Sequence, residues 1–288
     1  MYHVLHCGLR RVVKSIHHKW RTMPVYNELS RERRSLAGVS MSGHNKWSTI
    51  KHKKGKMDAK RGKLFTKLIR EITTAAREGG GDPDGNPRLR AAVLAARAAN
   101  MPADNISKAI QRGTGELPGV AYEEVVYEGY GPGGVAIMLE VLTDNRNRTT
   151  AEIRHLFSKF GGNLGESGCV SFLFKKQGYL MVPREGTDED TVMEAALEAG
   201  AEDFIAEDED LFEIYTAPED LHKVKGMLED REIAVEEAKL AMVPSTQVRL
   251  EDKRADQMIR LMDAFEDQDD VQNVWANFDI DEQLLEAG

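Results

Sequence analysis

The chain of 288 residues carries 39 Lys and Arg against 48 Asp and Glu, a formal net charge of −9, and 41% of its residues are hydrophobic. This composition supports packed cores, and the length predicts about two domains, with three small ones also compatible. The sequence nowhere approaches the roughly 18 consecutive apolar residues of a membrane-spanning helix, so we expect a soluble globular protein. Cys7 and Cys169 lie far apart and support neither a disulfide framework nor a zinc site, which favours a reducing compartment.

The charge is distributed unevenly along the chain. Residues 1–40 carry 8 basic and 2 acidic residues, residues 41–118 carry 16 and 7, and residues 119–288 carry 15 and 39. The net charges of these three parts are therefore +6, +9 and −24. Such asymmetry predicts a polyanion-binding N-terminal part joined to an acidic body.

Residues 1–40 are basic, and their first acidic residue is Glu28. They are either an Arg-rich organelle transit peptide or an extension upstream of a start at Met41. We favour the second, because compositional targeting signals are weakly specific and Met41 directly precedes the recognisable domain. We exclude residues 1–40 from the fold and expect a cytoplasmic protein; a transit peptide would instead place it in the mitochondrial matrix.

Residues 44–56 mix cations with one aromatic residue and contain almost no core material, so we expect an extended arm that its partner orders. Its cations neutralise phosphates, and Trp47 offers a face for base stacking. A solvated tail, with Trp47 packed on its own domain, is the alternative. The arm contributes these candidate nucleic-acid contacts: Lys46, Trp47, Lys51, His52, Lys53, Lys54 and Lys56.

A helix is predicted from about Asp58 to Arg77, with apolar residues on one face and cations on the other. Only Glu71 lies near the basic stripe. Like charges three or four residues apart repel one another unless an anion relieves them, so the stripe indicates phosphate binding. Its candidate contacts are Lys60, Arg61, Lys63, Lys67 and Arg70.

Two shorter helices complete a small bundle in residues 41–118. Asn86 has the position of an N-cap before Pro87, which opens a helix to about Ala99. A third helix follows Pro102 and ends near Gly113. The pair resembles a helix-turn-helix, although this signal alone is weak. Arg88 and Arg90 are the candidate contacts of the second helix.

The acidic body starts with a β-β-α-β pattern. A capping box of Thr149 and Glu152 is expected to open its helix. Its strands are predicted near Tyr122–Tyr130 and Val135–Leu142 and at the alternating residues Val170, Phe172 and Phe174.

Residues 177–245 then follow the order β-α-β-β-α-β, which is typical of a ferredoxin-like domain. Residues 246–288 hold one more helix and one more strand that lack partners of their own. They complete the interrupted unit of residues 119–176. We therefore predict a discontinuous second domain, 119–176 plus 246–288, with the third domain, 177–245, inserted into it.

The segment Leu142–Thr149 joins a strand to a helix N-terminus, a favourable place for an anion. Its candidate phosphate or RNA contacts are Asp144, Asn145, Arg146 and Arg148; the equally weighted alternative is a helix-entry loop that satisfies its own turn. The glycine-rich turns lack the features of nucleotide-binding loops. No nucleophile, base and orienting group can be assembled, so we expect neither an enzyme nor a bound metal or cofactor.

Several distinctive motifs occur in order from Met41 to the C-terminus. Together they resemble the YebC/PmpR family over residues 41–288, although Cys169 stands where a small polar residue is expected. The motifs include Met41-Ser-Gly-His-Asn-Lys-Trp-Ser-Thr-Ile-Lys-His-Lys-Lys54, Asn86-Pro-Arg-Leu-Arg90, Asn100-Met-Pro-Ala-Asp-Asn-Ile106, Leu142-Thr-Asp-Asn-Arg-Asn-Arg-Thr149 and Gly161-Gly-Asn-Leu-Gly165.

The resemblance implies an α+β protein of three domains, a helical bundle followed by two α/β sandwich-like domains, without catalytic residues. Bacterial members are described as DNA-binding transcriptional regulators. Mitochondrial members are described as translational activators, and some bacterial ones as ribosome-associated factors for proline-rich stretches. We expect a nucleic-acid-binding regulator of gene expression, DNA-binding or alternatively rRNA-binding on the ribosome, with no membrane partner and an open oligomeric state.

Overall fold

The computed structural model describes residues 57–280, with side chains from Arg61 onward. The predicted arm and the extension 1–40 lie outside this range. In chain order the elements are α1 (Met57–Gly79), α2 (Pro87–Ala98), α3 (Ala103–Thr114), β1 (Glu123–Tyr130), β2 (Ala136–Thr143), α4 (Arg146–Lys159), β3 (Asn163–Leu164), β4 (Phe174–Pro183), α5 (Glu189–Ala199), β5 (Asp203–Ile205), β6 (Leu211–Thr216), α6 (Leu221–Asp230), β7 (Glu237–Pro244), β8 (Val248–Leu250), α7 (Asp252–Glu266), β9 (Val271–Ala276) and β10 (Phe278–Ile280).

Helices α1 to α3 form the predicted bundle. The side chain of Asn86 caps α2 by accepting a hydrogen bond from the backbone N–H of Leu89 at 3.1 Å, and Pro87 is the first helical residue. Gly113 on α3 allows close packing, because a Cβ there would lie 2.5 Å from the carbonyl oxygen of Thr73 on α1. The bundle core is built from Ile72, Leu89, Val93, Met101, Ile106 and Ala109.

The first sheet has the strand order β3-β1-β2-β9, and all its pairs are antiparallel. Helices α4 and α7 contribute Phe157 and Phe265 to its core, with ring centroids 4.8 Å apart. Strand β9 pairs with β2 although more than a hundred residues separate them in the chain. This pairing is the one that an insertion into the second domain requires; the three domain boundaries themselves stay predictions.

The second sheet has the order β5-β6-β4-β7 and is also antiparallel. Alternate residues of β4 and β6, among them Leu180, Val182 and Ile214, share a core with α5 and α6. The predicted α+β class, with a helical N-terminal region followed by two α/β parts, is confirmed.

The predicted capping box at Thr149 is wrong, because α4 begins three residues earlier. Asn145 is the N-cap, and its side chain accepts the backbone N–H of Arg148 at 3.1 Å. The Thr149 hydroxyl lies inside the helix and bonds Thr143 and Asp270. Glu152 accepts a hydrogen bond from Gln268 instead of reaching back to the helix start.

The predicted strand at Val170–Phe174 is also wrong before Phe174, since residues 171–173 form a 3-10 turn. The buried carboxylate of Glu128 accepts the backbone N–H groups of Gly168, Val170 and Ser171 at 2.8, 2.7 and 2.8 Å. Donors that converge on one carboxylate are unavailable to a strand ladder, so the alternation of apolar residues here does not mark a strand.

Candidate nucleic-acid interface

Three cations on one side of α1 contact the end of α7 and the turn that follows it. The Lys63 Nζ lies 3.0 Å from a carboxylate oxygen of Asp267, and the Lys67 Nζ donates to the carbonyl oxygen of Glu266 at 2.9 Å. One turn further, Arg70 donates to the Asp269 carbonyl at 2.9 Å. These groups meet the C-terminal end of α7, where exposed carbonyls favour positive charge. This side of the basic stripe therefore already has an anionic partner within the chain.

Asp270 is the centre of this contact. Its side chain is 4% exposed and forms an ion pair with Arg70, which is 13% exposed and also donates to the Leu142 carbonyl at 3.1 Å. The second carboxylate oxygen accepts from Arg148 at 2.8 Å and from the Thr149 hydroxyl. One buried carboxylate thus joins α1 to the start of α4.

The hydrogen bonds decide the charge state of Asp270. Burial acts to raise its pKa, but donors from Thr149, Arg148 and Arg70 outweigh burial, and the pKa lies below the ordinary value of an aspartate. The carboxylate is therefore ionised at neutral pH, and the pair with Arg70 is a charged one.

Arg88 of α2 is also engaged inside the chain. Its guanidinium lies 2.7 Å from Glu71 and 2.6 Å from Glu78, and it contacts Glu124 on β1 as well. The hydrogen bond with Glu71 is the main cause that raises its pKa above the usual range. This predicted contact residue thus ties the bundle to the first sheet.

The outer side of α2 has a different character. The helix contains no acidic residue, and Arg90 and Arg97 lie two turns apart in one exposed row. Neither side chain has a hydrogen-bond or ion-pair partner among residues 61–280. Beside them Leu94 is 57% exposed. Arg61 of α1 reaches the end of the same helix, where it donates to the Asn100 carbonyl at 3.4 Å.

The loop before α4 uses its polar groups within the fold. Arg148 bridges Asp144 and Asp270, each at 2.8 Å, and Asn145 caps the helix. Arg146 forms an exposed pair with Glu123 at 3.2 Å. Unlike Arg148, Arg146 does not contact the buried Asp270; its exposed ion pair is of a kind worth about 0–1 kcal/mol, which a phosphate can replace.

A cleft of about 450 Å³ lies between the bundle and the two sheets. Its lining includes basic and acidic side chains, Arg88 and Lys176 on the one hand and Glu124 and Glu140 on the other, together with Leu240 and Trp275. The described residues that line it include no serine, cysteine or histidine. Within the described part of the chain, no cluster of three or more metal-ligating side chains occurs, and no helix is long and apolar enough to cross a membrane.

Comparison with known proteins covers most of the described part of the chain. Residues 45–116 match the model of the TACO1/YebC protein N-terminal domain, and residues 122–278 match that of the TACO1/YebC second and third domain. The chain belongs to the TACO1/YebC family. The two matched regions coincide with the helical bundle and with the two sheets.

Similar members of the TACO1/YebC family are named as regulators. A "probable transcriptional regulatory protein" of Persephonella marina is 60% identical over 247 residues, which cover 85% of this chain and 99% of the relative. One of Desulforapulum autotrophicum is also 60% identical, covering 86% and 100%. The crystal structure of a conserved hypothetical protein of Aquifex aeolicus has a TM-score of 0.71 and 52% identity, and covers 78% of this chain and 93% of that one.

The structure divides the predicted contact residues of this TACO1/YebC chain into three groups. Lys63, Lys67, Arg70 and Arg88 contact the body of the protein; Arg61 and Arg90 lie at the outer surface of the bundle. The third group, which lies outside the described side chains, comprises Lys46, Trp47, Lys51, His52, Lys53, Lys54, Lys56 and Lys60.

Sequence reasoning did not select Arg97, although the structure places it in the row of Arg90. The signal was present, because the two residues are seven positions apart in a helix without acids and share one face. Arg112 of α3 is likewise exposed and was not selected.

Proposed function

We propose that this chain is a non-catalytic regulator of gene expression that binds nucleic-acid phosphates through the outer surface of its helical bundle. The proposed contacts are Arg61 of α1 and Arg90 and Arg97 of α2. The basic arm of residues 44–56, which directly precedes α1 in the sequence, is proposed to contribute as well. The names of the bacterial relatives favour a transcriptional regulator, and we propose that it binds DNA in the cytoplasm. DNA is therefore our first candidate for the target.

One observation carries the proposal: the outer side of α2 presents arginines that no carboxylate of the described chain neutralises. Elsewhere in the bundle, Lys63, Arg70 and Arg88 each contact a carboxylate. Surface cations that lack acidic neighbours are the groups that displace counterions from a phosphate backbone. The arginine row on α2 is therefore better suited to a polyanion than the inner side of α1.

A second candidate is a factor that binds rRNA on the ribosome and acts in translation. The exposed polar side chains of α2 are Arg90 and Arg97, and the neighbouring exposed positions are Ala91, Leu94, Ala95 and Ala98. A helix that reads bases in a major groove usually presents several polar side chains to base edges. Cations beside small apolar residues favour backbone contacts, which carry no sequence information.

The non-catalytic part of the proposal rests on the partners of the polar groups. In the loop before α4, Asp144 and Arg148 bond each other, and Asn145 caps the helix. The cleft between the bundle and the sheets offers carboxylates but, among its described residues, no side chain that commonly serves as a nucleophile. Neither place combines a nucleophile, a base and an orienting group.

The test is sedimentation of a tagged chain that starts at Met41 through a gradient of cell lysate, followed by sequencing of the nucleic acid bound to it. Recovery of DNA segments that share a sequence supports the transcriptional candidate. Migration with ribosomes and recovery of rRNA supports the translational one. A protein that is recovered without nucleic acid in every fraction overturns the proposal. The same experiment is repeated with the variant Arg90→Gln/Arg97→Gln, for which we expect loss of the bound nucleic acid.

A further inference from the structure

Helix α4 is an exception within the acidic body. Residues 119–288 contain 15 Lys and Arg against 39 Asp and Glu. The 14 residues of α4 hold four of these cations and a single acid, Glu152. The helix thus reverses the sign of the charge that prevails in this part of the chain, and two of its cations, Arg146 and Arg148, form ion pairs inside the protein.

The packing of α4 leaves a basic face toward solvent. Thr149, Ile153 and Phe157 are buried and fix the side that faces the first sheet. The positions on the opposite side are exposed: Asn147, Ala151, Arg154, His155, Ser158 and Lys159. Small or polar side chains occupy the middle of this face, and cations stand on both flanks.

The cations of this face are not neutralised inside the described chain. The side chain of Arg154 has no hydrogen-bond or ion-pair partner among residues 61–280, and the Lys159 Nζ lies over the ring of Phe160, 5.2 Å from its centroid. The one acid of the helix, Glu152, is held by a hydrogen bond from Gln268. The face is therefore basic and exposed, and Glu152 is the one carboxylate that its helix carries.

We infer that the outer face of α4 is a second nucleic-acid contact surface, which binds the phosphate backbone through Arg154 and Lys159. Asn147 and Ser158 add hydrogen-bond donors of the kind that fix a backbone in place. Ala151 leaves room for close approach. The occupant is a polyanionic strand, because the face offers two cations spaced along an exposed helix surface.

Asp270 connects this surface to the bundle. The same carboxylate accepts hydrogen bonds from Arg70 of α1 and Arg148 of α4. A nucleic acid bound on both surfaces would therefore contact the bundle and α4, which Asp270 links through Arg70 of α1 and Arg148 of α4. This inference rests on the proposed function, since the bundle supplies the first contact.

The experiment measures the affinity of the chain from Met41 for a fluorescent DNA duplex and for an RNA stem-loop of matching sequence, over a series of salt concentrations. We expect Arg154→Gln/Lys159→Gln to make the negative slope of log affinity against log salt shallower by about 1.4–1.8. We expect the same variant to reduce the affinity at 0.1 M salt by about tenfold or more. The matched control is Lys253→Gln/Arg254→Gln, which removes two exposed cations from α7 of the same body; we expect its slope to equal that of the parent.

A slope for the α4 variant that equals that of the parent and of the α7 control overturns the inference. The variant Arg90→Gln/Arg97→Gln, measured in parallel, separates this failure from that of the proposed function. If the α2 variant loses affinity and the α4 variant does not, the bundle binds nucleic acid and α4 does not. If no variant or parent binds either probe, the proposed function itself fails.

Discussion

The inner side of α1 and the outer side of α2 are both basic, yet they differ in what they contact. Lys63, Lys67 and Arg70 face the end of α7 and the acidic residues that follow it. The side chains of Arg90 and Arg97 are exposed and have no partner in the described chain. Residues of the same type, in the same small bundle, therefore have different roles: the first set docks the bundle, and the second is available to a partner.

This difference shows that an unbalanced basic stripe does not by itself identify a phosphate-binding surface. The repulsion that the stripe on α1 implies is relieved by carbonyl groups and carboxylates nearly two hundred residues further along the chain. An internal anion satisfies the same electrostatic requirement as a nucleic acid.

The largest effect is expected from removing the anion on the docking side. Asp270→Ala leaves Arg70 buried without its counterion and should lower the free energy of unfolding by about 3–5 kcal/mol. Urea unfolding measures this change. Asp269→Ala is the matched control, because Asp269 contributes its carbonyl oxygen to Arg70 while its side chain is exposed. Equal stabilities of the two variants would contradict the docking role.

The docking contact should also weaken in acid. Because the pKa of Asp270 is lower in the folded than in the unfolded chain, its contribution is fully present above the ordinary aspartate value of about 3.9 and is lost as the pH falls through the lower folded value. We expect the stability difference between the parent and Asp270→Asn to be constant from neutral pH to about pH 5 and to shrink below about pH 4. A difference independent of pH would exclude this linkage.

A smaller effect distinguishes two neighbouring arginines of α2. Arg88→Gln removes the partner of Glu71, Glu78 and Glu124 and should cost about 1–2 kcal/mol of stability, since the group is 36% exposed and solvent screens part of the interaction. Arg90→Gln should change stability by less than about 0.5 kcal/mol. Thermal or urea unfolding of both variants measures this difference. A larger loss of stability for Arg90→Gln than for Arg88→Gln would contradict the prediction.

Much of the fold could be predicted from local patterns. The Asn86–Pro87 helix start, the order of strands and helices in residues 177–245 and the late return of β9 to the first sheet follow from caps, periodicity and unpaired elements. Two errors arose where a side chain bonds a distant partner that the local sequence pattern does not reveal. Glu128 captures the N–H groups around Val170, and Asp270 holds Thr149 inside α4.

The candidate site was harder to predict because charge alone does not identify its partner. The sequence reveals which helix faces are basic, but it does not show that Asp267 and Asp270 approach α1. The exposed pair Arg90 and Arg97 and the basic face of α4 could have been found from spacing and the absence of acids. Their freedom from internal partners is a property of the tertiary structure.

The central claim is that the outer side of α2, and not the inner side of α1, binds nucleic acid. Its most direct test compares the salt dependence of binding for Arg90→Gln/Arg97→Gln and Lys63→Gln/Lys67→Gln. Binding is measured in buffer without denaturant, at salt concentrations at which both variants are folded. We predict that the α2 variant makes the negative slope of log affinity against log salt shallower by about 1.4–1.8, while the α1 variant retains the slope of the parent. A reduced slope for the α1 variant with an unchanged slope for the α2 variant would contradict the claim.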